Sequence, residues 1–280
     1  RRLGLVITDE QHRFGVQHRV LLGEKGENPD QLIMTATPIP RTLAVILYGD
    51  LDISVLDELP PGRKKIRTEV IGEDRRDAMY EFVRKQLSSG HQAYVVAPMI
   101  EDSEEIKVRS AEGIYTELKA RFPEFEIALL HGELPQKEKE EIMRRFADGK
   151  IALLVATVVI EVGINVPNAT VMVIENSERF GLAQLHQLRG RVGRGGEKSW
   201  CILVNAGQSG VARTRAEIMA ASDSGFVIAE KDLQLRGPGE FFGTRQHGLP
   251  DLRISNLIRH VDLLEIVKEE ALHILQEDPE

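Results

Sequence analysis

The sequence has 280 residues, a formal net charge of −8 at neutral pH, 42% hydrophobic and 29% charged residues, and one cysteine, Cys201. This composition allows one large or two ordinary cores, excludes an internal disulfide framework, and argues against a uniformly basic nucleic-acid binder. The charge is uneven, however: residues 184–250 carry nine Lys/Arg against six Asp/Glu, and residues 251–280 three against eight, so a basic middle able to meet phosphates precedes an acidic end.

The chain starts on Arg1-Arg2 rather than methionine and runs directly into the apolar stretch Leu3 to Ile7, so it reads as a piece of a longer protein. Short β-branched runs then alternate with longer amphipathic stretches, the pattern of a parallel sheet with helices on both faces. Strands are expected at Leu3–Thr8, Gln31–Thr35, Arg67–Ile71, Gln92–Ala97, Glu126–Leu130, Ile151–Ala156, Ala169–Ile174 and Ser199–Val204. Helices are expected at Phe14–Leu22, Pro40–Tyr48, Asp74–Leu87, Ala111–Arg121, Pro135–Phe146 and Leu182–Val192. Leu59-Pro60-Pro61-Gly62-Arg63-Lys64-Lys65 can continue neither element and separates two units. After Asn205 the pattern becomes helical, with Val211–Ala221 and Val227–Leu235 forming a hairpin. A breaker-rich loop, Arg236–Gln246, and an amphipathic helix, Arg253–Leu275, complete the chain. The longest apolar run, Ile151 to Ile164, is interrupted by Glu161 and is too short to span a bilayer. No signal peptide is visible, and a lone strand cysteine fits a buried thiol in a reducing cytoplasm.

Four groups of residues carry chemistry. Asp9-Glu10-Gln11-His12 ends the first strand, where parallel sheets bind ligands; one carboxylate there suits Mg²⁺ and the next an attacking water, although the tetrapeptide alone also fits a solvated strand end. Thr35-Ala36-Thr37-Pro38 places two hydroxyls at the neighbouring edge, able to sense those carboxylates or simply to make a turn. In the second unit, Thr157, Glu161 and Gly163 follow a buried strand, with Thr157 able to donate to a phosphate and Gly163 allowing close backbone approach. Last, Gln187, Gly190, Arg191 and Arg194 are spaced to share one face of a helix, while Leu185, Leu188 and Val192 occupy the other. Paired guanidiniums suit a phosphate chain, and an arginine reaching a γ-phosphoryl group spreads its developing charge. His131 has no Cys or His at metal spacing and reads as structural.

In this order the motifs resemble a superfamily-two helicase motor from its second to its sixth motif. Asp9–Gly15, Thr37–Leu43, Leu56–Arg63 and Ile174–Gly181 narrow the resemblance to the RecG family of ATP-dependent DNA helicases, over essentially the whole chain. The resemblance implies the end of a first RecA-like lobe (1–58), a linker (59–66), a second RecA-like lobe (67–206), a helical hairpin with a translocation-coupling loop (207–250) and a terminal helix (251–280). ATP and Mg²⁺ follow as cofactors, and branched duplex DNA, as in stalled forks and Holliday junctions, as partner, together with single-strand-binding protein; no membrane is implied. By residue, Asp9 and Glu10 would handle Mg²⁺ and water, Gln187 and Arg191 would sense nucleotide, and Arg194 would be the finger across the lobe interface. His12, Thr35, Thr37, Glu161 and Gly163 would couple the lobes. Thr157, Arg236, Thr244, Arg245 and Gln246 would serve DNA binding and translocation. The implied location is the bacterial cytoplasm, on the nucleoid.

The sequence departs from that pattern at Val158 and Asn165, where threonine and aspartate are expected, which puts DNA contact or coupling through this loop in question. No Gly-x-x-x-x-Gly-Lys-Ser/Thr occurs. Gly195-Gly196-Glu197-Lys198-Ser199 lacks its order and leads into a strand. The phosphate cradle and the family's fork-binding wedge are therefore expected upstream of Arg1, and the chain alone is expected not to hydrolyse ATP. An Mfd-like repair translocase, or a DNA-binding relic without turnover, remains open at this point.

Overall fold

The computed structural model describes residues 3–10, 29–36, 52–56, 58, 60, 62–98, 110–157, 165–205, 210–236 and scattered positions from 266 to 277. Two strands come first. β1 (Leu5–Thr8) and β2 (Asp30–Ile33) pair in parallel, with Thr8 opposite Ile33. Val6 and Thr8 are buried, while Leu5, Ile7, Leu32 and Met34 are exposed.

From Ile66 onward six strands form one parallel sheet in the order β3-β8-β7-β4-β6-β5. They are β3 (Ile66–Ile71), β4 (Gln92–Val96), β5 (Ile127–Leu130), β6 (Leu153–Ala156), β7 (Ala169–Ile174) and β8 (Ser199–Val204). The three central strands are apolar at nearly every position and buried throughout, as a parallel sheet covered on both faces requires. Successive side chains go to different cores. Ala93, Val95 and Ala97 pack with α1 (Arg76–Ser88) and α2 (Ala111–Arg121). Tyr94 and Val96 face the opposite core, against α3 (Gln136–Ala147), α4 (Leu182–Arg189) and the helical pair α5 (Gly210–Ala221) and α6 (Gly225–Arg236).

Local chemistry sets several boundaries. The Ser110 hydroxyl accepts from the Gly113 amide at 3.0 Å and caps the start of α2. The buried Gln92 amide donates to the Phe146 and Ile151 carbonyls at 2.6 and 2.7 Å, tying the end of α3 to β4. Cys201 is buried in β8, and burial pushes its thiol up to about 12, so it behaves as a core residue. Among the described residues no helix is long and apolar enough to cross a membrane.

The described strands and helices lie within two residues of their expected ends, except the helix expected over Leu182–Val192, which starts as expected and ends early. α4 stops at Arg189, with Gly190 as its C-cap. Gly193 has φ +73°, where a β-carbon would also sit 2.9 Å from Ile66 Cγ1, so the turn that leads on to β8 requires glycine there. The helices expected at Phe14–Leu22 and Pro40–Tyr48 lie outside the described residues. Within the expected terminal helix the described positions are helical, and Ile266, Val267, Ile274 and Leu275 are exposed there.

Candidate functional site

The first group of site residues stands on the edge of the two-stranded sheet. Parallel register carries Asp9 and Glu10 off the end of β1 beside Thr35 at the end of β2. The Glu10 amide donates to Asp9 Oδ1 at 2.9 Å, and Glu10 adopts φ +52°. A left-handed conformation is uncommon away from glycine and collects at working sites. His12 and Thr37 lie outside the described residues.

The second group lies on the six-stranded sheet, where the helix end found above changes the expected geometry. Gln187 is on α4, but Arg191 and Arg194 follow it on a turn, so the stripe is not one helical face. Two hydrogen bonds, Arg191 N to Leu188 O at 3.0 Å and a longer one from Val192 N to Arg189 O at 3.3 Å, hold the turn. Arg194 Nε donates to the Gly190 carbonyl at 3.0 Å and so curls back over it. Arg63 reaches the same carbonyl from far away in sequence, with Nη2 at 3.2 Å.

Beneath these cations lies Tyr94, whose phenol is pushed up to about 12 by burial, against the opposing pull of Arg191 and Arg194. It is therefore neutral at physiological pH and does not neutralise them. Burial, and then repulsion from Arg63, lowers the Arg194 pKa. The glycines complete the turn. A β-carbon on Gly195 would stand 2.3 Å from the Pro167 carbonyl oxygen, so close packing requires glycine there, whereas Gly196 has open space around it.

Arg189 has no counterpart among the expected site residues. It is 3% exposed, and its Nη1 donates to the carbonyls of Met219 and Ser222 at 2.8 Å each, and to Thr68 Oγ1 at 3.3 Å. Its Nη2 lies 3.0 Å from His186 Nδ1. Burial, then the neighbouring Arg189 and Arg63, holds His186 down to about 4, so the ring is neutral and Nδ1 accepts. One buried guanidinium thus joins the end of α4 to the end of α5. A sequence signal existed: Arg189 lies four residues after the buried Leu185 and three before the buried Val192, on the apolar side of the pattern.

A different set of residues occupies the opposite edge of the sheet. The turn carrying Arg194 packs against the starting residues of β3 and β8, Ile66 and Ser199, whereas Thr157 follows the end of β6. The structure therefore does not bring Thr157 together with Arg194. The Thr157 amide donates to Leu130 O at 3.1 Å, and its buried hydroxyl has no partner among the described residues. Glu161 and Gly163 lie outside the described residues, and Asn165 is exposed. On the same edge Arg76 pairs with the fully buried Glu175 at 2.6 Å and bonds Glu73 through two nitrogens. Burial opposes the charge of Arg76, but its carboxylate partners outweigh that and hold it protonated. This pair, also absent from the expected set, fixes α1 against the end of β7. His131, half-buried after β5, joins no cluster able to hold a metal among the described residues. Arg236 ends α6, with only its backbone described; Thr244, Arg245 and Gln246 lie outside the described residues.

Comparison with known proteins agrees with this architecture. Residues 74–196 match the helicase conserved C-terminal domain, and residues 222–280 match the C-terminal part of domain 3 of the ATP-dependent DNA helicase RecG. The chain is 53% identical to RecG of Thermotoga maritima over 98% of its own length and 35% of that protein's. It is 48% identical to RecG of Bacillus subtilis over 99% of its length and 41% of that protein's. The chain thus spans well under half the length of these relatives. A RecG structure bound to a three-way DNA junction superimposes with a TM-score of 0.72 at 49% identity, over 94% of this chain and 34% of that one. The six-stranded sheet, with helices on both faces, is a RecA-like lobe of a superfamily-two helicase.

Proposed function

Because the chain belongs to the RecG family, we propose that it forms part of an ATP-dependent DNA helicase, a double-strand translocase that remodels stalled forks and Holliday junctions in recombination and repair. The observation that carries this reading is the turn after α4, where Arg63 and Arg194 converge on one carbonyl with no carboxylate paired to either among the described residues. Such a turn is complementary to a polyphosphate that arrives from another lobe. In this reading residues 1–58 end the first RecA-like lobe, 59–66 link it to the second lobe at 67–206, and 207–250 and 251–280 are the coupling hairpin with its loop and the terminal helix.

Each residue then has a role. Asp9, exposed and beside a backbone amide, offers a hard oxygen of the kind that holds Mg²⁺ together with water and phosphate oxygens. When bound, the metal neutralises phosphate charge. Glu10 orients the attacking water, Gln187 and Arg191 sense the nucleotide, and Arg194 meets the charge that develops on the transferred group. His12, Thr35, Thr37, Glu161 and Gly163 connect nucleotide state to lobe closure. Thr157, Arg236, Thr244, Arg245 and Gln246 act on the duplex. Branched DNA and single-strand-binding protein are the proposed partners, and the bacterial cytoplasm, on the nucleoid, is the proposed location.

The test uses a protein of full RecG length carrying these residues. Arg194→Ala should lose roughly a thousandfold of DNA-stimulated ATPase while fork affinity at fixed salt stays nearly constant. Lysine should restore little, because a point charge does not reproduce the guanidinium fork. Turnover of the alanine variant within about threefold of the parent, a far smaller change than arginine fingers give, would reduce Arg194 to a surface charge.

A further inference from the structure

The segment before β3 links two units, and one of its side chains, Arg63, ends at the candidate finger. A turn forms where the Arg63 amide donates to the Pro60 carbonyl at 3.2 Å, with Gly62 at φ +83°, a conformation that favours glycine. The turn launches the Arg63 side chain across the fold to Gly190 O at 3.2 Å, and Arg194 Nε takes the same oxygen at 3.0 Å. A carbonyl oxygen has two lone pairs and accommodates both donors. Two guanidiniums held this close repel each other, and among the described residues neither has an ion-pair partner to relieve it.

We propose that Arg63 is a positioning residue for the finger: by sharing the Gly190 carbonyl with Arg194 it ties the interlobe segment to the finger turn, so that movement of that segment and placement of Arg194 are one event. The proposal rests on the finger reading of Arg194. Electrostatic stabilisation of a transferring phosphoryl group depends on donors fixed in place beforehand. A finger on a bare, glycine-flanked turn would have to be ordered in every cycle. Arg63 supplies that order from the element that must move when two lobes close. Its positive charge also biases the turn toward the state in which a polyanion lies against it. A merely structural Arg63 would fasten a surface loop and leave turnover unchanged.

A double-mutant cycle in a protein of full RecG length, read as single-turnover ATP hydrolysis on fork DNA, tests this directly. Arg63→Met keeps the apolar stem but removes the donors and the charge. It should lower the hydrolysis rate about ten- to a hundredfold, the range for one charge-assisted hydrogen bond, with little change in ATP KM. Arg63→Lys, which can still reach one carbonyl, should recover most of the rate, unlike lysine at position 194. In an Arg194→Ala background, Arg63→Met should cost less than about twofold further, because its effect passes through the missing finger. An Arg63→Met protein within about twofold of the parent rate, or an undiminished loss in the Arg194→Ala background, overturns the proposal while leaving the finger intact. Full turnover by Arg194→Ala removes both.

Discussion

In β7 every side chain from Ala169 to Ile174 is buried, whereas in β1 Leu5 and Ile7 stand 52% and 58% exposed. Both strands are short, β-branched and parallel-paired. Among the described residues the difference is cover: β7 lies between two neighbours and two helical layers, and β1 has β2 on one side. A parallel sheet is stable when both faces are covered, and two strands alone are marginal in water. The chemistry divides along the same line. The carboxylates stand on the thin sheet, and the arginines stand on the closely packed one, at an edge braced by Gly193 against Ile66 and by Gly195 against Pro167.

The largest effect expected to break this contrast comes from Arg189→Ala. The substitution strands the Met219 and Ser222 carbonyls and leaves a void, and should destabilise the six-stranded unit by about 2–4 kcal/mol. Amide exchange across α5 and α6 should rise more than across α1 and α2. Equal rises on both faces of the sheet would show that Arg189 does not single out the hairpin.

A matched pair of truncations sharpens the contrast further. Val173→Ala in the central strand should cost about 2–3 kcal/mol from lost burial and a residual cavity. Ile7→Ala, already more than half exposed, should cost under about 1 kcal/mol. Urea denaturation of both variants measures the difference, and equal shifts would mean that the first sheet is covered in solution.

The smallest effect is a pH dependence. His186 is held down to about 4 in the folded state against 6.5 when free. Keeping it neutral contributes stability that is complete above the free value and is lost as pH falls from there through about 4. Denaturation midpoints of the parent and of His186→Gln between those limits should diverge, the parent falling more steeply toward acid. Parallel slopes would place the ring in contact with water.

These expectations also mark what local pattern can and cannot reveal. The strands were legible because covered parallel strands read as unbroken apolar runs, as in Ala169–Ile174. The end of α4 was not, since Gln187, Gly190, Arg191 and Arg194 keep helical spacing although the helix stops at Arg189 with Gly190 as its C-cap, and the chain turns away through Gly193 at φ +73°. Arg63 and the pair Arg76 and Glu175 were missed because their contacts are long-range, and Arg189 although its place on the apolar side of the pattern was visible. Their acceptors or partners lie 30 or more residues away, and nothing in the neighbouring residues encodes a carbonyl brought near by the fold. Arg194 and Gln187 could be proposed from the sequence because their motif is itself local.

The close approach of Gly195 to the Pro167 carbonyl bears on how this protein can be re-engineered. Two loops that meet backbone to backbone have no side chain between them to absorb a mismatch. The turn carrying Arg194, moved into another scaffold, must therefore travel with a host loop of the same path, whatever residues that loop carries. Libraries built around Arg194 should hold position 195 as glycine and draw their diversity from exposed neighbours such as Glu197 and Lys198, where a new side chain meets solvent and the shape of the turn is left alone.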